Sequence, residues 1–335
     1  MTKKNYVKMS DIARKAGVSI ATVSRVINSP ELVAPATIEK VMNVIDENNY
    51  TINHPIKKAA SNLGKSIAIF VYNLDSQFYL DIINHLNTLA FEHGYSLIIC
   101  NTGDSPEKEE KYFEYCRNIQ TSGIIFTTAR TRETIGSRFK DYSPPMVLLD
   151  RDRFSNKPVY MLGSDHKKGM TLLMDYLYKL NHRKIGIIHA PQDIRPGRER
   201  LESFLNAAEN LGLEIPPHYI KEGDFTVQSG ITGFDYFYSM SDAPTAIVAA
   251  NDMCARGIIM RANSLGVKIP DAFSVCGYDG SNRQSFYPEI TSVIQDSARL
   301  STEMFNLIIN SKSDPPPKVV TVDVELSTGV TCHII

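Results

Sequence analysis

The stretch MSDIARKAGVSIATVSRVIN, residues 9–28, decides how the rest of the chain is read. Ser10 can accept hydrogen bonds from free first-turn amides, which predicts a short helix from Asp11 to Ala16. Gly17 then breaks the run, and Ser19 restarts a second helix through Ile27. In that second helix Val23, Val26 and Ile27 are spaced to face the apolar Ile12, Ala16 and Val18. Two short helices joined at a glycine turn form a helix-turn-helix candidate.

Outward from this stretch, Asn28-Ser29-Pro30 ends the second helix. Pro35 suits the first turn of a third, whose Ile38, Val41, Val44 and Ile45 recur at helical spacing. The expectation is an all-α three-helix headpiece over residues 1–52. The next segment, TINHPIKKAASNLGKS, is short on large apolar side chains, so residues 53–65 read as a hinge or a conditional helix with Asn53 as cap and Pro55 in its first turn.

After residue 66 the texture changes. Apolar runs such as IAIFVYN, YSLIICN, GIIFTT and PMVLLDR alternate with amphipathic stretches, one running to about 93, one near 105–120 and one after GIIFTT. A second round follows Gly163, with KIGIIHAP, AIVAAND and FSVCGYD as strands and helices near 165–181, 197–212, 226–241 and 252–265. This βαβα rhythm predicts an α/β sensor of two lobes with parallel sheets, spanning 66–335. Lobe 1 is expected over about 66–163 plus about 297–325, and lobe 2 over about 164–290. The final segment, TSVIQD, a helix near 297–310 and a strand VVTVDVEL, is expected to cross back to the first lobe and leave a cleft between the two.

Composition narrows the function classes. With 335 residues, 43% hydrophobic and 22% charged, the chain is long enough for two or three packed units and too apolar for disorder. Residues 1–65 hold ten Lys and Arg against five Asp and Glu, whereas the remainder holds 26 against 32. A basic end on an acidic body points to one unit that faces a polyanion. The first twenty residues have no apolar core of the kind a secretion signal requires and no long apolar run follows, so a cytoplasmic location is expected. Cys100, Cys116, Cys254, Cys276 and Cys332 lack any C-x-x-C spacing and read as small buried hydrophobes rather than metal or redox groups.

Common enzyme fingerprints fail. Gly64-Lys65-Ser66 ends like a phosphate-binding loop, but Ala59 stands where that loop needs glycine, and the strand follows the motif instead of preceding it. No G-x-G-x-x-G follows a strand, and H-E-x-x-H and G-x-S-x-G are absent, so no enzyme, cofactor or metal is expected.

A second helix that presents small and polar side chains outward can enter the roughly 12 Å major groove while Lys and Arg meet phosphates. Ser19, Ala21, Thr22, Ser24 and Arg25 lie on that helix. The plainer alternative is a solvated surface helix. The string A-G-V-S-x-x-T-V-S-R-V-x-N within residues 16–28 resembles the headpiece signature of the LacI/GalR family of transcription regulators. The resemblance continues through the third helix, Tyr50 and Asn53, and on to the sensor at AIVAANDM, SVCGYD and TSVIQD, so it covers nearly the whole chain.

That resemblance implies a sequence-specific DNA-binding regulator, most often a repressor, that acts as a homodimer on near-palindromic operators. Its sensor is expected to resemble type I periplasmic binding proteins and to take a small sugar-like effector, while some members need a corepressor, small molecule or protein. Ile20 and Ala21 fall where the family chooses its base sequence, and Thr22, Ser24 and Arg25 match its general DNA contacts. Ser10, Ser19, Asn28, Tyr50 and Asn53 complete the expected set. Ile20 and Ala21 offer no hydrogen bonds and suit thymine methyls. The hinge departs from the pattern: Ala59 stands where the family presents a leucine wedge to the minor groove, Ile52 replaces a proline, and Ala34 replaces a capping serine. Lys57 and Lys58 still provide phosphate contacts.

Open α/β sheets bind ligands at the C-terminal ends of their strands, where Asp75, Asp150, Asn251, Asp279 and Gln295 fall. Sugars need planar donors and acceptors for adjacent hydroxyls and an aromatic face for their C–H side. Each such residue has a plainer reading as a cap or turn residue. By the resemblance, Arg200 matches the effector arginine of R-x-x-G-F with Ser203 in place of glycine, Asn251 matches N-D, Asp279 matches G-Y-D, and Phe225 is the aromatic of G-D-F. Asp75, Ser76, Phe78, Asp150 and Gln295 resemble further pocket positions, whereas Met253, Met260 and the tyrosines read as core or dimer interface. An exported sugar-binding protein would account for residues 66–335 but not for the headpiece.

Overall fold

The computed structural model describes residues 9–48, 65–127, 143–153, 158–280 and 288–335. The hinge residues Tyr50, Asn53, Lys57, Lys58 and Ala59, and the helix expected after GIIFTT, lie outside them. Two compact units divide between Leu63 and Gly64.

In the first unit, α1 spans Met9–Lys15, α2 Ile20–Asn28 and α3 Pro35–Glu47. Ile12, Ala13, Ala16, Val23, Val26, Val41 and Ile45 are buried together, with Val18, Ile27, Ile38 and Val44 packed against them. A buried valine or isoleucine contributes roughly 1.5–3 kcal/mol, so this small set holds three short helices that would not persist alone. Gly17, at φ +62°, makes the turn. Ser19 caps α2, its Oγ accepting from the Thr22 amide at 3.0 Å. Ser10 is not the cap of α1: the helix already includes Met9, two residues before the expected Asp11, and Met9 packs onto the core. Ala34 occupies the N-cap of α3 without a side-chain bond, and Pro35 follows it.

The second unit contains two six-stranded sheets. Strands β1 (Lys65–Val71), β2 (Tyr95–Asn101), β3 (Gly123–Phe126), β4 (Met146–Leu149), β5 (Tyr160–Ser164) and β11 (Lys318–Val322) form the first, in the order β11-β5-β4-β3-β1-β2. Strands β6 (Ile185–His189), β7 (Ile220–Glu222), β8 (Ala246–Ala249), β9 (Ser274–Asp279), β10 (Thr291–Gln295) and β12 (Val324–Ser327) form the second, in the order β12-β10-β9-β8-β6-β7. All pairings are parallel except β10 with β12.

Helices cover both faces of each sheet, which is why the strands read as unbroken apolar runs. Along β1, Ile67, Ile69 and Val71 join one core while Ala68 and Phe70 join another on the opposite face. The helices are α4 (Gln77–Glu92) and α5 (Pro106–Asn118), then α6 (His166–Lys179), α7 (Arg195–Asn210), α8 (Val227–Tyr238) and α9 (Asp252–Ser264), and last α10 (Ser297–Ile309). Leu300, Met304 and Phe305 of α10 lie in the first lobe's core with Ile82 and Leu86 of α4, so the chain returns there after β10.

The single strand expected over VVTVDVEL is two. β11 pairs with β5 in the first sheet and β12 with β10 in the second, with Asp323 between them. Asp323 ion-pairs with Lys168 and accepts from the Val324 amide, two polar contacts that break the strand at the lobe crossing. Strands β5 and β7 were not foreseen: β5 carries Gly163 within its run, and β7 has only three residues, two of them the charged Lys221 and Glu222. All five cysteines are free thiols; four are buried, and Cys332 is only partly so. No helix among the described residues is long and apolar enough to cross a membrane.

Candidate functional site

On the headpiece, burial of Val23 and Val26, with Ile27 packed partly buried beside them, turns the other side of α2 outward. Ile20 remains 53% exposed, with Ala21 and Arg25 also exposed and Thr22 and Ser24 half-buried. Ser19 and Ser10 are exposed as well. An isoleucine half open to solvent at the first position of a capped helix contributes little to the core and is available to a partner. The side chain of Asn28 lies outside the described residues.

Between the lobes of the second unit lies a cavity of about 410 Å³. From the first lobe it is lined by Tyr72, Asn73, Asp75, Ser76, Phe78, Tyr79, Asp104 and Asp150, all following or near the ends of β1, β2 and β4. From the second lobe come Pro191, Ile194, Pro196 and Arg200, then Asp224, Phe225, Thr226 and Val227, and finally Asn251, Met253 and Asp279. The topology explains the convergence: both parallel sheets direct their C-terminal ends to one cleft.

Asp75, Ser76, Phe78, Asp150, Arg200, Phe225, Asn251 and Asp279 are therefore brought together as the sequence led us to expect. Gln295 is not on this cavity's wall. It stands behind Asp279, donating from Nε2 to Oδ1 at 2.7 Å, with only 3% of its surface exposed. Met253, expected to be core or interface, lines the cavity because it is the second residue of α9, whose N-terminus opens there. Tyr72, Asn73 and Asp104 were missed, although the strand-end rule applied to β1 and β2 points to them.

Arg200 is held rigidly. Its Nη1 donates to the Ala250 carbonyl at 2.9 Å and its Nη2 to Asp279 Oδ1 at 3.3 Å, while the guanidinium lies 3.8 Å from the Tyr278 ring centroid and 5.7 Å from that of Phe225. Its buried Nε finds no hydrogen-bond partner among the described residues. A planar, oriented guanidinium of this kind suits vicinal hydroxyls. Asn251 is both wall and cap, its Oδ1 accepting from the Cys254 amide at 2.9 Å.

Beneath the cavity the two lobes are joined by a buried polar chain. His166 Nε2 lies 3.4 Å from Asp150 Oδ1, and His166 Nδ1 is 3.1 Å from the Tyr278 hydroxyl. Two glycines make room for it: a Cβ on Gly163 would lie 2.3 Å from Asp150 Oδ1, and one on Gly169 would lie 2.5 Å from the Tyr278 hydroxyl. Burial opposes the charge of Asp150, but His166, Arg200 and Arg195 outweigh it and hold the carboxyl below its ordinary range. At Asp279 burial prevails over Arg200 and Gln295 and pushes the carboxyl up. Nearer the surface, Arg198 of α7 clamps Asp152, beyond β4, through bonds of 3.0 and 2.9 Å to both carboxylate oxygens.

Residues 8–53 match the bacterial regulatory proteins of the lacI family, and residues 64–326 match the periplasmic binding proteins and sugar binding domain of the LacI family. The chain belongs to the LacI family of bacterial regulators. It is a DNA-binding regulator with a ligand-binding sensor. This LacI-family chain is 29% identical over 318 residues to the HTH-type transcriptional repressor PurR of Edwardsiella ictaluri, covering 94% of this chain and 93% of the relative. Among solved structures, the lac repressor dimer bound to operator and the anti-inducer ONPF superposes with a TM-score of 0.72 at 24% identity, over 98% of this chain and 99% of that one. The transcriptional regulator CelR in complex with cellobiose gives the same TM-score and identity, over 97% and 99%. These two similarities establish the fold. Among the described residues no cluster of three or more His, Cys, Asp or Glu is arranged to hold a metal.

Proposed function

We propose that this regulator is a repressor of sugar-utilisation genes that binds a near-palindromic operator as a homodimer and is controlled by a sugar-like effector in the interlobe cavity. The observation that carries the reading is the cavity itself: Arg200, Asn251, Asp150 and Asp279 present planar polar groups beside Phe78 and Phe225. The same residue classes recognise a polyol's hydroxyls and its C–H face. The relatives support the two halves of the reading, one being named a repressor and one solved with cellobiose.

In this scheme Ser10, Ser19, Ile20, Ala21, Thr22, Ser24, Arg25 and Asn28 meet the operator, with Tyr50, Asn53, Lys57, Lys58 and Ala59 at the hinge. Residues 1–52, 53–65 and 66–335 serve as headpiece, hinge and effector-binding, dimerising sensor, in the cytoplasm and without catalysis. An effector that touches both lobes biases their relative angle. Because it and the operator act on one equilibrium, their coupling is reciprocal.

Fluorescence anisotropy of a labelled near-palindromic operator at fixed salt, with and without mono- and disaccharides, tests the proposal. Selective binding released by one sugar is the expected result. Binding that requires an added small molecule or protein would assign a corepressor instead. Absence of selective binding under every condition would refute the operator assignment.

A further inference from the structure

Two of the five cysteines, 56 residues apart along the chain, meet in the second lobe: Cys276 on β9 and Cys332 in the C-terminal segment place their Sγ atoms 3.4 Å apart. Both belong to the core that the second sheet shares with α6 and α7, Cys276 buried within it and Cys332 packed against it. Cys332 is the one cysteine of the five that is not buried. The pair thus has one thiol at the surface and one beneath it. No C-x-x-C spacing announces such a pair, because the fold alone brings the two together.

The backbone fixes this meeting. The Val275 amide donates to the Thr331 carbonyl at 2.8 Å, and Thr331 Oγ1 donates back to the Val275 carbonyl at 2.6 Å. On the other side of Cys332, the His333 amide donates to Ser274 Oγ at 3.1 Å. These bonds hold the two sulfurs side by side. A disulfide needs them about 2.05 Å apart, so each side chain has to move by about 0.7 Å.

Cys332 also has the surroundings of an attacking thiol, for which the thiolate is the reactive form. The bond from the Cys276 thiol outweighs burial and, with the Thr291 and Thr331 hydroxyls, draws the Cys332 thiol below its ordinary range; the same contact and burial push Cys276 up. By contrast Cys100, Cys116 and Cys254 are at most 1% exposed and are shielded from solutes in the folded protein.

We propose that Cys276 and Cys332 form a reversible thiol–disulfide pair, oxidised by a peroxide and restored by a thiol reductant, that ties the C-terminal segment to β9. In the first step the Cys332 thiolate attacks one peroxide oxygen: an S–O bond forms, the O–O bond breaks, and the departing oxygen takes up the thiol's proton to leave as water or an alcohol. Cys332 is then a sulfenic acid. In the second step the Cys276 sulfur attacks the Cys332 sulfur, the S–S bond forms, the S–O bond breaks, and the hydroxide leaves with the Cys276 proton as water. Two thiols lose two electrons and one peroxide gains them. In a reducing compartment the pair rests as thiols and the bond forms transiently. Because β9 carries Tyr278 and Asp279, both in contact with Arg200, the tie reinforces the strand that supports this arginine.

The test treats the reduced full-length protein with hydrogen peroxide, blocks remaining thiols by alkylation, and maps the digest by mass spectrometry without reduction. A linked pair of peptides containing Cys276 and Cys332, two hydrogens lighter than their sum and separated by dithiothreitol, is the expected result. Cys332 carried on to a sulfinic acid without a link, or both thiols intact at peroxide doses that oxidise free glutathione, would overturn the proposal. In Cys276→Ala the partner is gone, so Cys332 should accumulate as a sulfenic acid trapped by dimedone; no trapped product from folded protein would deny Cys332 the attacking role. Wild-type protein supplies a readout independent of any variant. Closing a loop of this length restricts the unfolded chain, so the oxidised sensor should melt at least about 4 °C above the reduced one. An equal or lower midpoint would overturn the tie.

Discussion

Gly163→Ala drives a methyl group into the carboxylate of Asp150. The added Cβ lies 2.3 Å from Oδ1 and 3.4 Å from Cγ, and among the described residues those are the atoms it meets within 4 Å. The shorter contact falls below an ordinary one by about 1 Å, so either Asp150 or β5 must shift. Overpacking of this kind costs typically ~1–3 kcal/mol. Gly163 is not among the glycines of positive φ, so alanine fits its backbone and recovers ~0.4–1 kcal/mol from the unfolded chain. The expected net loss is about 1–2 kcal/mol. Asp150→Gly removes the obstacle and accommodates the φ of +47° at that residue. In the double variant the methyl group has nothing to strike, so its destabilisation should fall short of the sum of the singles by at least about 1 kcal/mol. Urea titrations of the four full-length proteins, following circular dichroism through the sensor transition, measure this coupling. Additivity within about 0.5 kcal/mol would refute the packing argument.

Glu109→Ala leaves Arg151, 2% exposed, without the carboxylate it now meets at 2.9 Å, and should destabilise the sensor by about 3–5 kcal/mol in the same assay; much of that loss should disappear in Glu109→Ala with Arg151→Met. Ser19→Ala removes the cap of α2 and is expected to lower headpiece stability by about 1 kcal/mol, read from the headpiece's own thermal transition. Asp150, whose folded pKa is lowered, contributes stability above its unfolded value that is lost as pH falls, so the melting advantage of the native protein over Asp150→Asn should shrink below about pH 4. Asp279, whose folded pKa is raised, has the opposite sign: the native protein should gain on Asp279→Asn as pH falls and lose on it as pH rises. Ala59→Leu should tighten operator binding and increase bending, measured by anisotropy and by gel mobility of permuted sites; equal or weaker affinity would deny a wedge role to that position.

Much of the fold was legible because its signals are local. Ser19, Gly17 and the Val23–Ile27 spacing specify α2 through nearest neighbours along one helix. The apolar strands announce a doubly covered parallel sheet without reference to anything distant. The strand-end rule located Asp75, Asp150, Asn251 and Asp279 for the same reason, since a parallel sheet delivers its C-terminal ends to one edge. Two of the misses share one character. Gln295 sits on a strand end yet backs Asp279, and Met253 looks like any helical methionine yet faces the cavity.

By itself, then, the sequence determined the headpiece helices, the two α/β lobes and, with the family resemblance, eight of the nineteen residues on the cavity wall, because capping, periodicity and strand ends act over a few residues. Only the tertiary structure decided that VVTVDVEL divides between two sheets at Asp323, that Arg200 is committed to Asp279 and Ala250, and that His166 links Asp150 to Tyr278 beneath the floor. Those facts depend on groups distant in the chain meeting in the fold, 50 and 79 residues apart for the partners of Arg200 and 112 for His166 and Tyr278, the Arg200 and His166 sites being buried. There the loss of water makes each partner's position and charge decisive, and no local pattern along the chain encodes it.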